Sequence, residues 1–101
     1  MGVVGLTKTL ARELGPQNIL INVVGPGKIE TDRVRQLDTQ RAINTGVSVE
    51  ELKQAAVKEI ALGRYGEPRE LARLVVFLCS EANTYITGQT VLADGGLVKA
   101  Y

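Results

Sequence analysis

The sequence contains no histidine and a single cysteine, Cys79. Histidine is the side chain that proteins use most often for acid–base catalysis and metal binding near neutral pH, so its absence removes the commonest basis for such a site. One cysteine can form neither an internal disulfide nor a cysteine-cluster metal site. The composition therefore predicts no metal site, and it favours a reducing compartment, the cytoplasm.

The sequence also has no long apolar run, almost no net charge and few aromatic side chains. No apolar run approaches the roughly 18 residues that a membrane helix needs, and residues 1–15 lack the layout of a signal peptide. Twelve Lys and Arg stand against eleven Asp and Glu, which gives no basic footprint for nucleic acid or an anionic membrane. We therefore expect neither as a partner. Because aromatic residues are only 4%, the core must be aliphatic.

The hydrophobic pattern predicts three main helices, over residues 2–14, 48–62 and 67–81, and two short strands, over residues 19–24 and 89–93. Because helices separate the strands, we expect the strands to be parallel neighbours joined by a crossover connection. A parallel sheet of two strands rarely stands alone. Residues 1–101 are therefore predicted to form a single partial α/β domain, at the edge of a larger sheet.

Several predictions concern the ends and the burial of the helices. Ser48 and Glu51 form a capping box at the start of the second helix. Asp32 is expected to cap a short helical segment that ends at Leu37. The third helix has a wide apolar stripe and is expected to be well buried, with Cys79 as a small core residue.

The segment NVVGPGKIETD, residues 22–32, joins an apolar strand to a polar region through Gly-Pro-Gly. Two explanations are open. The first is a turn that ends the strand, followed by Thr31 or Asp32 as a helix cap. The second is a place where a ligand approaches the backbone closely, since Gly27 has no side chain to block it. Asn22, polar within an apolar run, is expected to tie neighbouring loops together.

Four motifs, in the right order, resemble the short-chain dehydrogenase/reductase family, most closely its 3-oxoacyl-[acyl-carrier-protein] reductase type. Residues 22–32 resemble the family's N-x-V-x-PG-x-x-x-T stretch, and residues 2–14 resemble the helix that follows its Tyr-x-x-x-Lys pair. Residues 63–70 are similar to its G-R-x-G-x-P-x-E turn, and residues 85–96 to its closing strand. The resemblance implies that the chain is a C-terminal fragment of a Rossmann-type doubly wound parallel sheet, with two strands and about three main helices.

The resemblance also implies a reaction and a cofactor. The family transfers a hydride between NAD(P)H and a carbonyl or alcohol, with a Tyr as acid/base and a Lys that lowers its pKa. The loop after the first strand would lie along the nicotinamide half of NAD(P), with a backbone contact at the carboxamide and a hydroxyl contact at the carboxamide or pyrophosphate. The implied cofactor-binding residues are Pro26, Gly27, Ile29 and Thr31.

The family's catalytic residues have no counterpart in this sequence. Tyr65 and Tyr85 are followed four residues later by Arg and Gln, and Met1 aligns just after the position of the catalytic lysine. The Gly-rich phosphate loop is also missing, since Glu30 stands where G-x-G-x-x-G needs its third glycine. We therefore expect no catalytic residue and no dehydrogenase activity of this chain alone.

The alternative function is a non-catalytic interaction or oligomerisation module. An uncovered strand edge has unpaired N–H and C=O groups that can pair with another chain. The resemblance also implies a subunit interface at the last two helices and the last strand. The expected partner is a second copy of the chain or a complementing N-terminal fragment. A DNA-binding helix-turn-helix over residues 48–81 is disfavoured, because five basic residues stand there against six acidic ones. Residues 94–96, Asp-Gly-Gly, favour a tight turn over a phosphate nest.

Overall fold

The computed structural model describes residues 2–97. In chain order, its elements are α1 (Gly2–Leu14), a 3-10 helix (Gly15–Gln17), β1 (Val23–Pro26), α2 (Asp32–Thr45), α3 (Val49–Lys58), α4 (Pro68–Cys79) and β2 (Thr90–Ala93). The two strands are neighbours in one sheet. Val23 N donates to Gln89 O, and Gly27 N donates to Ala93 O. Both partners advance by four residues in the same direction, which is the register of a parallel pair. The predicted α/β class with parallel neighbouring strands is confirmed.

Backbone contacts divide the described residues into two compact units. Unit 1 consists of residues 2–25 and 72–92, and unit 2 consists of residues 26–71 and 93–97. The prediction that residues 1–101 make up a single partial domain stays a prediction. No helix within residues 2–97 is long and apolar enough to cross a membrane.

In unit 1, α1 has the predicted bounds. Its buried face consists of Thr7 and Ala11, which lie four residues apart and therefore one above the other on the helix. Thr7 Oγ1 donates to Val3 O at 2.7 Å, so the buried hydroxyl has a partner within the helix. Asn18 takes a left-handed φ of 61° just after the 3-10 helix, which prevents the helix from continuing.

The first strand differs from the prediction in both position and burial. β1 begins at Val23, four residues later than expected, and it extends through Pro26. The cause lies in a residue that is distant in the sequence, because Ile21 N donates to the hydroxyl of Thr87 at 2.9 Å instead of to a backbone carbonyl. The expectation of a buried strand over residues 19–24 is wrong, because Ile19 is 43% exposed and none of the other residues in that range is fully buried.

The irregular region of the prediction contains the 14-residue helix α2. Its N-cap is Thr31 and not Asp32, and the helix continues past Leu37 to Thr45, so both of those predictions are wrong. The reason is that α2 has few apolar residues, and a helix without an apolar stripe gives no periodic signal. Polar side-chain pairs line its surface instead, such as Arg35 with Asp32 at 2.7 Å.

The second predicted helix is α3, four residues shorter at its C-terminal end than expected. Ser48 is its N-cap, and Ser48 Oγ accepts a hydrogen bond from Glu51 N at 3.1 Å, so the predicted cap is confirmed. Residues 59–62 form turns, and Ile60 within them is 4% exposed. Gly63 follows with a φ of 72°, the conformation expected of a glycine that ends a helical region.

The third predicted helix is α4, and the expectation that it is well buried is wrong. None of its residues is buried, Val76 is 65% exposed and Phe77 is 42% exposed. Cys79, expected in the core, is exposed. The physical reason is that two short strands offer too little apolar surface to cover this stripe. Among the residues described, the buried hydrophobic side chains are Ala11, Ile29, Ile60 and Tyr65.

Candidate functional site

The loop that follows β1 contains all four of the residues that the sequence proposed for cofactor binding. It begins at Pro26, the last residue of the strand, whose side chain is exposed. β1 and β2 are parallel, so their carboxyl ends lie at the same edge of the sheet. In doubly wound α/β proteins, ligands bind outside this edge. The segment of residues 26–31, which we call the strand-end loop, therefore starts where a ligand is expected.

Gly27 is in close contact with the end of β2. Its N–H donates to Ala93 O at 2.9 Å. A Cβ at position 27 would lie 2.7 Å from both Cα and Cβ of Asp94, which is about 1 Å inside normal carbon–carbon contact. Position 27 therefore requires a glycine for a reason that the sequence did not indicate, namely its contact with Asp94 within unit 2. A ligand contact at Gly27 stays a prediction.

Ile29 is held between the strand-end loop and the segment around Gly66. Gly66 N donates to Lys28 O at 2.9 Å, and Glu30 N donates to Gly66 O at 2.8 Å. This pair of bonds is an isolated parallel bridge between Ile29 and Gly66. In such a bridge the N–H and C=O of the central residue point away from the partner. The backbone polar groups of Ile29 therefore face away from Gly66, while its side chain is only 6% exposed.

Thr31 is the N-cap of α2. Its Oγ1 accepts a hydrogen bond from Val34 N at 3.2 Å, and its extended backbone leads directly into the helix. The helix-cap explanation that the sequence left open is therefore confirmed for Thr31. A threonine hydroxyl both accepts and donates, so the cap leaves its proton available for another acceptor. The sequence did not single out this double use.

Asn22 lies in unit 1, and it connects two neighbouring segments as predicted. Its Nδ2 donates to Ile86 O at 2.9 Å, and its Oδ1 accepts from Gln89 N at 3.1 Å. Both ends of the amide are therefore used to hold the segment that leads into β2. This pairing makes Asn22 a structural residue of unit 1.

Sequence reasoning missed a group of polar side chains in unit 2, which we call the Tyr65 cluster and which consists of Glu30, Asp38, Lys53 and Tyr65. The Tyr65 hydroxyl donates to Asp38 Oδ2 at 3.1 Å, and both residues are buried. Lys53 Nζ lies 2.7 Å from Glu30 Oε2 and 5.0 Å from the centre of the Tyr65 ring. The latter distance is within the range of a cation–π contact.

The environment of Tyr65 raises the pKa of its phenol from 10 to about 12. Burial is the largest cause, because it disfavours the charged phenolate, and the hydrogen bond to Asp38 and the charge of Asp38 act in the same direction. Tyr65 therefore stays a neutral donor over the physiological range. No sequence signal identifies this cluster, because α2 lacks the apolar periodicity that would show which of its faces is buried.

No group of three Cys, Asp or Glu side chains within residues 2–97 is placed to hold a metal ion. Several charged side chains of unit 2 form ion pairs with one another. Arg64 contacts Glu70 through two hydrogen bonds of 2.8 and 3.0 Å, and Arg64 Nη1 also donates to Tyr65 O at 3.2 Å. These bonds hold the turn at residues 64–66, whose Gly66 forms the bridge with Ile29.

Comparison with known proteins gives a family match over almost the whole chain. The family model described as enoyl-(acyl carrier protein) reductase matches residues 1–98. The 3-oxoacyl-[acyl-carrier-protein] reductase of Aquifex aeolicus is 47% identical over 96 residues, and that of Thermotoga maritima is 42% identical over 97 residues. These matches include 95% and 96% of this chain, but only 34% and 35% of the relatives.

Solved structures give the same result for the fold. A short-chain dehydrogenase family protein from Francisella tularensis superposes with a TM-score of 0.89 at 38% identity, over 95% of this chain and 40% of that protein. The L-sorbose reductase of Gluconobacter frateurii, solved with NADPH and L-sorbose, superposes with a TM-score of 0.88 at 32% identity, over 99% of this chain and 38% of that protein.

The two kinds of comparison agree in extent as well as in family. The chain spans about a third of the length of the curated relatives that it matches. The matched region includes the strand-end loop, both strands and all four α-helices described above. The four sequence motifs and the parallel strand pair have one explanation. This chain belongs to the short-chain dehydrogenase/reductase family.

Proposed function

We propose that this chain provides the nicotinamide-side part of an NAD(P)-dependent oxidoreductase. The reaction would be hydride transfer between NAD(P)H and a carbonyl or alcohol, as in a 3-oxoacyl-[acyl-carrier-protein] reductase. The observation that carries this proposal is the strand-end loop, which leaves the carboxyl edge of the sheet with the backbone of Ile29 turned away from Gly66. Support also comes from the family membership and from relatives that are named as reductases.

The polar groups of the loop fit a nicotinamide carboxamide. A carboxamide has one carbonyl acceptor and one NH₂ donor, and the backbone of Ile29 offers one donor and one acceptor on the same side. The hydroxyl of Thr31 keeps a proton to donate, because its cap bond uses only an acceptor position. Pro26 contributes an exposed ring surface at the strand end. NAD(P)H would supply the hydride, and these residues would bind and orient its carboxamide.

We propose that the chain alone does not catalyse this reaction. Proton transfer in the family depends on a Tyr-x-x-x-Lys pair, which this sequence lacks. Tyr65 is not placed to replace that tyrosine, because it is buried and its hydroxyl donates to Asp38. Purified chain incubated with a ketone and NADPH or NADH should therefore show no oxidation of the cofactor. Turnover by a preparation free of contaminating dehydrogenase would contradict this part of the proposal.

Cofactor binding can be tested without turnover, by NADPH and NADH fluorescence titration up to millimolar concentration. The chain should give a weak but saturable change. Thr31→Val should weaken it several-fold, whereas Thr31→Ser, which keeps the hydroxyl, should preserve it. Thr45→Val is the matched control, because Thr45 lies at the exposed far end of α2 and its hydroxyl bonds only to Arg41 O. No change for either cofactor would count against a cofactor site in this chain.

The second candidate function, an interaction module, is favoured by the exposed apolar side chains of unit 1. Val76 on α4 and Val3 on α1 are 65% and 64% exposed, and Tyr85 is 94% exposed. A groove beside β1 is lined in part by Leu20, Val24, Val75 and Leu78. Large exposed apolar patches mark interaction surfaces. We propose that a second copy of the chain, or an N-terminal fragment that completes the sheet, covers this surface in the cytoplasm.

Light scattering at micromolar concentration tests this second candidate. The chain has a mass of 10.9 kDa, so a larger species is expected. Val76→Glu should shift it toward the monomer, because it places a charge in the apolar surface. Ile43→Glu is the matched control, since Ile43 is 70% exposed on the polar helix α2. A single monomeric species for the unaltered chain would argue strongly against self-association.

A further inference from the structure

The helix α2 is attached to the rest of unit 2 in an unusual way. Its least exposed face is the row Val34, Asp38 and Ala42, and the middle residue of the row is a carboxylate. Asp38 is the one buried residue of α2, whereas Leu37 is 48% exposed. Because α2 has little apolar surface to bury, the hydrogen bond between Asp38 and the Tyr65 hydroxyl is a buried contact that connects the helix to the segment around residue 65.

The same tyrosine stands next to the residue that holds the strand-end loop. Gly66, which follows Tyr65 in the chain, bonds to both Lys28 and Glu30. A Cβ on Gly66 would lie 2.9 Å from Ile29 Cδ1, so the Gly66 backbone lies directly against the end of the Ile29 side chain. The position of Tyr65 is therefore coupled to the backbone of residues 28–30 through one peptide unit.

Lys53 makes a second connection between the same parts. It extends from α3, covers the Tyr65 ring, and ends at the carboxylate of Glu30, which lies between Ile29 and Thr31. The Glu30 side chain is only 22% exposed, so this ion pair is partly screened from water. Arg35 of α2 approaches the other oxygen of Glu30 at 3.7 Å. Glu30 thus receives cations from both α2 and α3.

We propose that Tyr65, Asp38 and Lys53 are positioning residues that hold the strand-end loop in the conformation that receives the nicotinamide carboxamide. This inference rests on the proposed function. None of the three needs to touch the cofactor. Tyr65 sets the distance between α2 and the segment around Gly66, and Lys53 fixes Glu30, the residue between the two polar contacts of the loop. Movement of α2 or α3 would therefore change the geometry of Ile29 and Thr31.

The test compares amide hydrogen exchange, residue by residue, in the unaltered chain and in variants without cofactor. Tyr65→Phe removes only the hydroxyl. It should accelerate exchange at Glu30 N and across α2 by about tenfold or more, because those bonds then open by local unfolding. Exchange in α1, which belongs to unit 1, should not change. Tyr85→Phe is the matched control, because that hydroxyl is on a fully exposed side chain. Unchanged exchange at Glu30 in Tyr65→Phe would overturn the proposal.

Two further variants keep the test decisive if Tyr65→Phe unfolds unit 2. Lys53→Met removes the charge from a side chain that is 43% exposed, so it should leave the fold intact and still loosen Glu30. Asp38→Asn keeps an oxygen acceptor for Tyr65 and should restore most of the protection that Asp38→Leu loses. If Asp38→Asn and Asp38→Leu behave alike, or if Lys53→Met leaves Glu30 fully protected, the positioning role is refuted.

Cofactor titration of the same variants separates this inference from the proposed function. Lys53→Met should weaken NADPH binding several-fold, while Lys58→Met on the same helix should not. If the unaltered chain binds no NADPH, the proposed function fails, and the exchange data alone then decide whether the Tyr65 cluster holds the loop. If the chain binds NADPH and Lys53→Met binds it equally well, the positioning role is refuted while the proposed function stands.

Discussion

Gly27 is the residue at which the structure makes its sharpest prediction, because a single added carbon meets backbone. In Gly27→Ala the new Cβ would lie 2.7 Å from Cα and Cβ of Asp94, and 3.5 Å from Ala93 O. Carbon atoms pack best at about 3.5–4.0 Å. The backbone of Asp94 cannot move away easily, because it begins a tight turn in which Gly95 and Gly96 have φ values of 62° and 88°.

The size of the effect follows from two opposing terms. Overpacking of a rigid site costs about 1–3 kcal/mol, while replacing glycine by alanine stabilises by about 0.4–1 kcal/mol through the unfolded chain. The net loss for Gly27→Ala is therefore about 1–2 kcal/mol. Gly25→Ala is a matched control, because its Cβ would meet only the end of the flexible Leu92 side chain, also at 2.7 Å. Its loss should be smaller, near zero, since a rotamer change relieves the contact.

Urea unfolding followed by circular dichroism measures both variants, with Gly15→Ala as a second control. Nothing lies within 4 Å of a Cβ on Gly15, so that variant should be slightly more stable than the unaltered chain. With a slope of about 1 kcal/mol/M for a small domain, the midpoint of Gly27→Ala should fall by about 1–2 M. If Gly27→Ala is as stable as Gly15→Ala, the contact with Asp94 does not demand this glycine, and the reasoning is refuted.

Two further predictions concern a helix cap and a buried phenol. Ser48→Ala should lower the free energy of unfolding by about 1 kcal/mol, because Glu51 N loses its acceptor; a urea midpoint that does not move would contradict this. For Tyr65, the folded-state pKa of about 12 lies above the ordinary 10, so the neutral phenol stabilises the fold fully below pH 10. That stabilisation should be lost as the pH rises through 12, and the stability gap between the unaltered chain and Tyr65→Phe should shrink over that window. A gap that stays constant from pH 9 to 12 would show that Tyr65 is not held neutral.

The elements that the sequence predicted well are those with a strong local signal. α1 was placed to the residue, because its leucines recur at helical spacing and Gly-Pro follows it. The cap of α3 was placed correctly, since a serine with a glutamate three residues later has one simple explanation. β2 was one residue from its predicted start. For the two helices, the signal comes from residues that are close to one another in the sequence.

The elements that were predicted badly depend on partners far away in the sequence. The start of β1 is set by Thr87, which lies 66 residues from Ile21 and takes its N–H out of the ladder. The length of α2 was missed because its anchor is Asp38, whose partner Tyr65 lies 27 residues away. A buried carboxylate on a helix without apolar periodicity cannot be distinguished in the sequence from an exposed one. The burial of α4 was overestimated for a related reason, since a stripe of apolar residues does not say whether a surface exists to cover it.

The candidate site shows the same division between local and distant causes. The sequence identified Gly27 as a residue that allows close approach, and the contact with Asp94, 67 residues later, gives that glycine a structural purpose. It also left open whether Thr31 was a cap or a ligand group, and the structure confirms the cap while leaving the hydroxyl proton available. A motif residue in this loop can therefore serve the fold and a ligand with different atoms.

Residues of unit 2 hold the strand-end loop at several points along its length. Gly27 contacts Asp94, Lys28 and Glu30 bond to Gly66, and Thr31 begins α2. The shape of the loop therefore depends on three parts of unit 2, namely the start of α2, the segment around Gly66 and the turn at Asp94.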